Sequence, residues 1–142
     1  MADVRGRLVS ILFCCIAVAS CGSSGSTGPS GNRRYTVRYD VSGSFSDCTF
    51  FYITRRDDVA PDQENLGGDS RSDTGSLPWS LTYDVTVTAL HPFNTQVGAV
   101  CSASGSETVT TTIMVDGDEV ATQTQSGQNV SAQAGFELTV GG

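Results

Sequence analysis

Five cysteines, one histidine and fifteen carboxylates are the side chains best suited to chemistry, and their spacing limits what each can do. His91 is the sole histidine and precedes Pro92, which marks a turn. A general base there would need a nucleophile held beside it, and the chain has neither a nucleophile-elbow motif nor a phosphate-cradling glycine loop. The cysteines lack the paired spacing of a zinc site. Calcium has better candidates, because Asp69 and Asp73 lie in one polar stretch and Asp116 and Asp118 in another, where oxygen ligands can converge. A solvated loop and a hairpin turn account for the same carboxylates, and the reading is no metal and no catalytic residue. Cys48 and Cys101 are compatible with a disulfide or with two buried free thiols. A bridge would close a loop of about fifty residues and add roughly 3–4 kcal/mol by chain entropy.

The remaining three cysteines belong to the N-terminus. Arg5 and Arg7 precede an apolar run from Leu8 to Ala19 that contains Cys14 and Cys15. The run suits a signal peptide and falls short of the ~20 residues that a spanning helix needs. It ends in Val18-Ala19-Ser20-Cys21, which resembles the bacterial lipobox, an aliphatic residue and two small ones before a cysteine. The resemblance implies a cleaved signal peptide over 1–20 and an acylated Cys21 that carries diacylglyceryl and a further acyl chain such as palmitate. Two or more chains hold a protein stably on a bilayer, so the membrane is an expected partner through lipid alone. Gly22, where an aspartate would signal retention, favours the periplasmic face of the outer membrane if the organism is Gram-negative. Residues 21–32 are the acylated cysteine and a glycine- and serine-rich tether with a span on the order of 18 Å.

Charge narrows the function further. The formal charge is −7, and loss of Asp3, Arg5 and Arg7 with the leader makes it one unit more negative. Every cation is arginine; there is no lysine. An acidic domain with scattered arginines does not suit nucleic acid.

The elements that must position these residues show a period of two. Tyr35, Val37, Tyr39 and Val41 alternate with polar residues, as do Leu77 to Ala89, Val97 to Ala103, Val109 to Val115 and Val130 to Val140. Cys48 to Arg56 is apolar on both faces and therefore expected to be central. Asp116-Gly117 signals a tight hairpin leading into a short strand over 119–125. The expectation is an all-β domain over 33–142, a single immunoglobulin-like antiparallel β-sandwich of about seven strands. Val59 to Ser76 reads as an unpatterned loop. With its flank it makes an acidic segment of Asp57, Asp58, Asp62, Glu64, Asp69 and Asp73, the candidate contact surface for a partner. Trp79 falls in phase with the core stripe.

The strand arrangement from Arg34 to Val140 resembles the C-terminal domain of the mycobacterial membrane protein small family, MmpS. The resemblance is carried by Tyr35–Gly43 (YTVRYDVSG), by Leu77-Pro78-Trp79-Ser80, by Ile113–Gly117 (IMVDG) with Val120, and by the Ser126-Gly127 turn. It implies an extracytoplasmic β-sandwich that works beside large proton-driven exporters. The chain departs from the family in having a lipobox in place of a membrane helix. It also lacks the late cysteine pair: the corresponding strands read Thr110–Ile113 and Ala132–Gly135. Cys48 and Cys101 are then an alternative staple.

These observations lead to a non-enzymatic, lipid-anchored accessory domain that docks onto an envelope protein complex, a transporter in the family's case. The alternative is a free-standing module that binds a small molecule or glycan, using the acidic loop with Trp79 or Tyr83 as its platform.

Overall fold

The computed structural model describes residues 31–58 and 67–141. The leader, Cys21, most of the tether, Asp62 and Glu64 lie outside the described residues. Six strands follow in order: β1 (Asn32–Gly43), β2 (Cys48–Thr54), β3 (Asp69–Gly75), β4 (Trp79–Thr88), β5 (Phe93–Val115) and β6 (Asp118–Leu138). All pairings are antiparallel, and the strands make one continuous sheet.

The sheet curls because β5 serves two sets of neighbours. Its first part pairs with β2 (Tyr52 with Val97 to Cys48 with Cys101), and its last part pairs with β1 (Gly43 with Val109 to Val37 with Val115). β6 follows β5 along its opposite edge through both parts. The result is two four-stranded leaves, β3–β2–β5–β6 and β4–β1–β5–β6, joined through one bent hairpin. At the bend, Ala103–Ser106 of β5 stand opposite Gln128 alone, between the pairs Ser102–Asn129 and Glu107–Gly127. This bulge bends the hairpin, and the Gln128 amide donates to Ser104 O at 3.3 Å across it.

The inward faces of the leaves close on each other in a sandwich-like way. Val37, Tyr39 and Val41 of β1 and Val85 and Val87 of β4 are buried with Phe50 of β2, Val97 and Ile113 of β5 and Leu138 of β6. Period-two alternation places them on one face, and burying each large apolar side chain contributes ~1.5–3 kcal/mol. Trp79 stacks on Phe50 with ring centroids 4.8 Å apart, and Tyr52 lies 5.2 Å away. Tyr39 of β1 reaches across to donate to Ile53 O of β2 at 2.6 Å.

The all-β antiparallel expectation holds, with three corrections. The stretches 97–103 and 109–115 are parts of one strand, because the Ser-Gly-Ser of 104–106 forms a bulge within it and not a turn between strands. The stretches 119–125 and 130–140 are likewise joined in β6, for Gly127 takes a positive φ of 154° inside the strand without ending it. The unpatterned loop contains β3, whose seven residues pair along β2 from Cys48–Gly75 to Thr54–Asp69. Strands on the edge of a sheet bury little, so DSRSDTG shows no apolar stripe.

Candidate functional site

The outer face of the β3–β2–β5–β6 leaf holds a groove of about 400 Å3. Strand register lays out its floor in rows. One row runs Ser72, Phe51, Gly98, Gln133; the row on one side runs Thr74, Thr49, Val100, Ser131. On the other side Ser70 faces Ile53, and Gln96 faces Gly135. Phe51 is 49% exposed and Val100 45% exposed, although β2 and β5 are interior strands. On β5 and β6 the glutamines and glycines form a checkerboard, with Gln96 opposite Gly135 and Gly98 opposite Gln133.

Neither glycine is required by the backbone. Gly98 and Gly135 are absent from the positive-φ positions. A Cβ at Gly98 would sit 3.5 Å from Ala132 O, and one at Gly135 3.7 Å from Thr95 O, both ordinary contacts. Glycine inside a strand weakens it and marks bulges or places where another molecule approaches closely. The side chains of Gln96, Gln133, Ser70, Ser72 and Ser131 have no hydrogen-bond partner among the described residues. From the inner side, the Gln96 N–H donates to Tyr39 Oη at 3.1 Å, so the core holds the strand segment that forms the groove floor.

The acidic segment has a different character from a bare negative loop. Asp57 is paired with Arg71 at 2.8 Å and Arg55 at 3.1 Å, and Asp58 with Arg56 at 2.8 Å. These guanidinium hydrogen bonds, first from Arg71 and then from Arg55, hold the Asp57 carboxyl below its usual range; Arg56 does the same for Asp58. Asp69 lies 3.5 Å from Arg71, and Asp73 accepts from Thr74 N at 2.9 Å. Both are strand residues of β3, which corrects their assignment to a loop.

The other candidates are dispersed. Asp116 occupies the β5–β6 turn at φ 52°, and its carboxylate accepts from Thr36 N at 2.9 Å with Arg33 at 3.9 Å. Asp118 begins β6 opposite Val115. Among the described residues no three His, Cys, Asp or Glu side chains gather to hold a metal ion. His91 is exposed and its N–H donates to Thr88 O in a turn, as Pro92 suggested. Cys48 and Cys101 are bonded to each other across neighbouring strands β2 and β5, with Cα atoms 4.4 Å apart.

Trp79 and Tyr83 do not offer the platform expected of a ligand module. Trp79 is engaged by Phe50 and Tyr52, and the Tyr83 hydroxyl lies 2.7 Å from Tyr39 Oη and 3.1 Å from Ile53 O. Among the described residues the exposed aromatics are Phe51 and Phe136. Two signals for the groove were present in the sequence: the apolar residues on both faces of β2, and a glycine between Val97 and Ala99 in a clean stripe.

A second feature is the free edge of β6. Among the described residues β6 pairs with β5 alone, which leaves its other edge unpaired along a strand of 21 residues. From Val120 to Phe136 that strand contains no charged residue and no proline. The other two open edges are guarded: β3 carries Asp69, Arg71 and Asp73, and β4 carries Asp84 and follows Pro78.

No protein family model matches the chain, and no curated protein matches it significantly.

Proposed function

We propose that the protein is a lipid-anchored, non-enzymatic accessory domain that docks onto an envelope membrane-protein complex by strand addition along β6. The observation that carries this reading is the open, uncharged edge of β6. An exposed edge is a template for another strand, and natural proteins blunt it with charges, proline, bulges or short length. β6 has two irregular points, at Val120 and at Gln128, and between and beyond them, from Ala121 to Phe136, it lacks charge and proline. Main-chain hydrogen bonds to an added strand would supply affinity, while side chains on alternate positions select the partner. The leader and Cys21 support an extracytoplasmic site of action, and the short tether would keep the edge close to the bilayer. The resemblance to MmpS proteins favours an exporter as the complex. In that setting the Arg–Asp pairs around Asp57 and Asp58 fix the rim beside β3 and leave recognition to β6.

Tagged full-length protein, crosslinked in its native envelope through its carboxylates to lysines of neighbours, should co-purify with a membrane-protein complex. Crosslinks should map beside β6, to Asp118, Glu119 or Glu137. Gln125→Arg with Asn129→Arg places long charges on the edge and should abolish recovery without unfolding the domain. Recovery of the lipoprotein alone, under conditions that preserve known envelope complexes, counts against the reading.

A further inference from the structure

The groove on the outer face of the β3–β2–β5–β6 leaf has its own chemistry, distinct from strand addition at the free edge of β6, although Ser131 and Gln133 of β6 line it. It contains no carboxylate, and its one cationic residue, Arg71, has its guanidinium committed to Asp57 and Asp69. An anionic or cationic ligand would therefore lose hydration without gaining a counter-charge. What remains is one exposed aromatic face, two side-chain amides, serine hydroxyls and a glycine floor.

We propose that this groove binds a neutral, polyhydroxylated ring, such as one pyranose unit of a glycan. The apolar C–H face of the ring would lie on exposed Phe51, beside Gly98, which is buried under neighbours that include the Gln133 side chain. Gln96 and Gln133 stand diagonally across the checkerboard. Each amide offers a donor and an acceptor, the combination that vicinal hydroxyls require. Few convergent polar groups around an apolar patch is the usual composition of a small-molecule site. Phe51 takes the role that the sequence gave to Trp79, because Phe51 is on the wet face of its strand and Trp79 is not.

The test is saturation-transfer NMR on the full-length protein in detergent micelles. The probes are methyl α-glucoside, methyl α-mannoside, N-acetylglucosamine and chitotriose, with glucose 6-phosphate, glucosamine and cyclohexanol as controls. At least one neutral sugar should receive saturation on its ring C–H protons, and the charged sugars and cyclohexanol should not. Phe51→Ala should weaken binding roughly tenfold, the scale of a lost aromatic contact. Gly98→Val should fill the groove beside Phe51; a Cβ there meets only ordinary contacts, and circular dichroism of the variant checks that its two further methyls leave the fold intact. Phe136→Ala, at an exposed aromatic outside this groove, should leave binding unchanged. Equal transfer to cyclohexanol, no transfer to any neutral sugar, or transfer that survives both Phe51→Ala and Gly98→Val overturns the proposal.

Discussion

Tyr39→Phe tests how the two leaves are held together. The β2–β5 pairing ends at Tyr52–Val97. Just beyond it the Gln96 N–H meets the Tyr39 hydroxyl at 3.1 Å in place of a neighbouring strand. The same hydroxyl donates to Ile53 O at 2.6 Å, and the Tyr83 hydroxyl is 2.7 Å away. Removing Tyr39 Oη leaves Tyr83 able to turn its proton onto Ile53 O, at 3.1 Å. Gln96 N–H, however, loses its acceptor in the interior. An orphaned buried donor costs ~1–3 kcal/mol, and the bonds lost with it bring the expected destabilisation to about 2–3 kcal/mol. Tyr83→Phe leaves Tyr39 with both its acceptor and its donor and should cost only about 1 kcal/mol. For a domain of this size ~1 kcal/mol corresponds to about 4–8 °C in Tm. Urea and thermal unfolding of both variants, followed by circular dichroism, measure the difference. A Tyr39→Phe variant no less stable than Tyr83→Phe refutes the argument. It would mean that the hydroxyl does not satisfy Gln96.

Four further outcomes follow from the same structure. Burial, partly offset by the bonds with Tyr83 and Gln96, raises the Tyr39 hydroxyl from its ordinary value of 10.0 to about 12, and burial raises Tyr83 as well. A raised folded pKa gives stability that is complete below pH 10 and lost as pH rises toward 12, so urea midpoints should fall across that window and fall less in Tyr39→Phe. The Cys48–Cys101 bridge spans 53 positions, for which chain entropy gives ~4 kcal/mol; Cys48→Ala with Cys101→Ala, or reduction under denaturant, should lower stability by about 2–4 kcal/mol in equilibrium unfolding. Gly43 has φ 150° and a Cβ there would collide with Thr108 O, so Gly43→Ala should severely impair folding, whereas Gly98→Ala should be neutral or stabilise by about 0.5 kcal/mol in the same assay. Asp116→Asn should retain both the left-handed turn and an acceptor for Thr36 N, while Asp116→Ala should cost about 1–2 kcal/mol in thermal unfolding.

The fold was legible where alternation was strong. Tyr35 to Val41 and Trp79 to Val87 bury one face against a single core, so each stripe identifies its strand and its inward side. β3 was hidden because DSRSDTG, at the edge of the sheet, buries almost nothing, and its pairing is a property of β2 as much as of its own sequence. The joined strands were hidden for another reason. Serine and glycine at 104–106 carry the composition of a turn, and only the partner strand decides whether such a run ends a strand or bulges within it. The acidic segment misled because charge counts by residue type ignore pairing: Arg55 and Arg56 meet Asp57 and Asp58 two residues on, and Arg71 reaches Asp57 only once β3 lies beside β2. The groove was half visible. Phe51 and Gly98 were odd residues in otherwise regular strands, but their juxtaposition depends on the β2–β5 register, which no local pattern specifies.

The two halves of the β5–β6 hairpin give the strongest reason to treat the groove as built for contact. Beyond the bend, the outer-face pairs are Thr108 with Ser126, Thr110 with Thr124 and Thr112 with Thr122, and their hydroxyls bond to each other at 3.0, 2.8 and 3.1 Å. That surface satisfies part of its own hydrogen-bonding capacity, as cross-strand threonine pairs commonly do. Before the bend, the pairs include Gln96 with Gly135, Gly98 with Gln133 and Val100 with Ser131. A glycine cannot answer an amide across the strand, so each glutamine is left to seek a partner from outside. The same hairpin, with the same bonding partner strand throughout, thus carries one self-paired face and one open face. A polar sheet shaped by solubility alone would have no reason to differ between its halves, and it would gain stability by replacing either glycine. Glycine at 98 and 135 beside an exposed Phe51 forgoes strand stability at one place on the surface, and at the exposed Gly135 it leaves the backbone open to the close approach of a ligand.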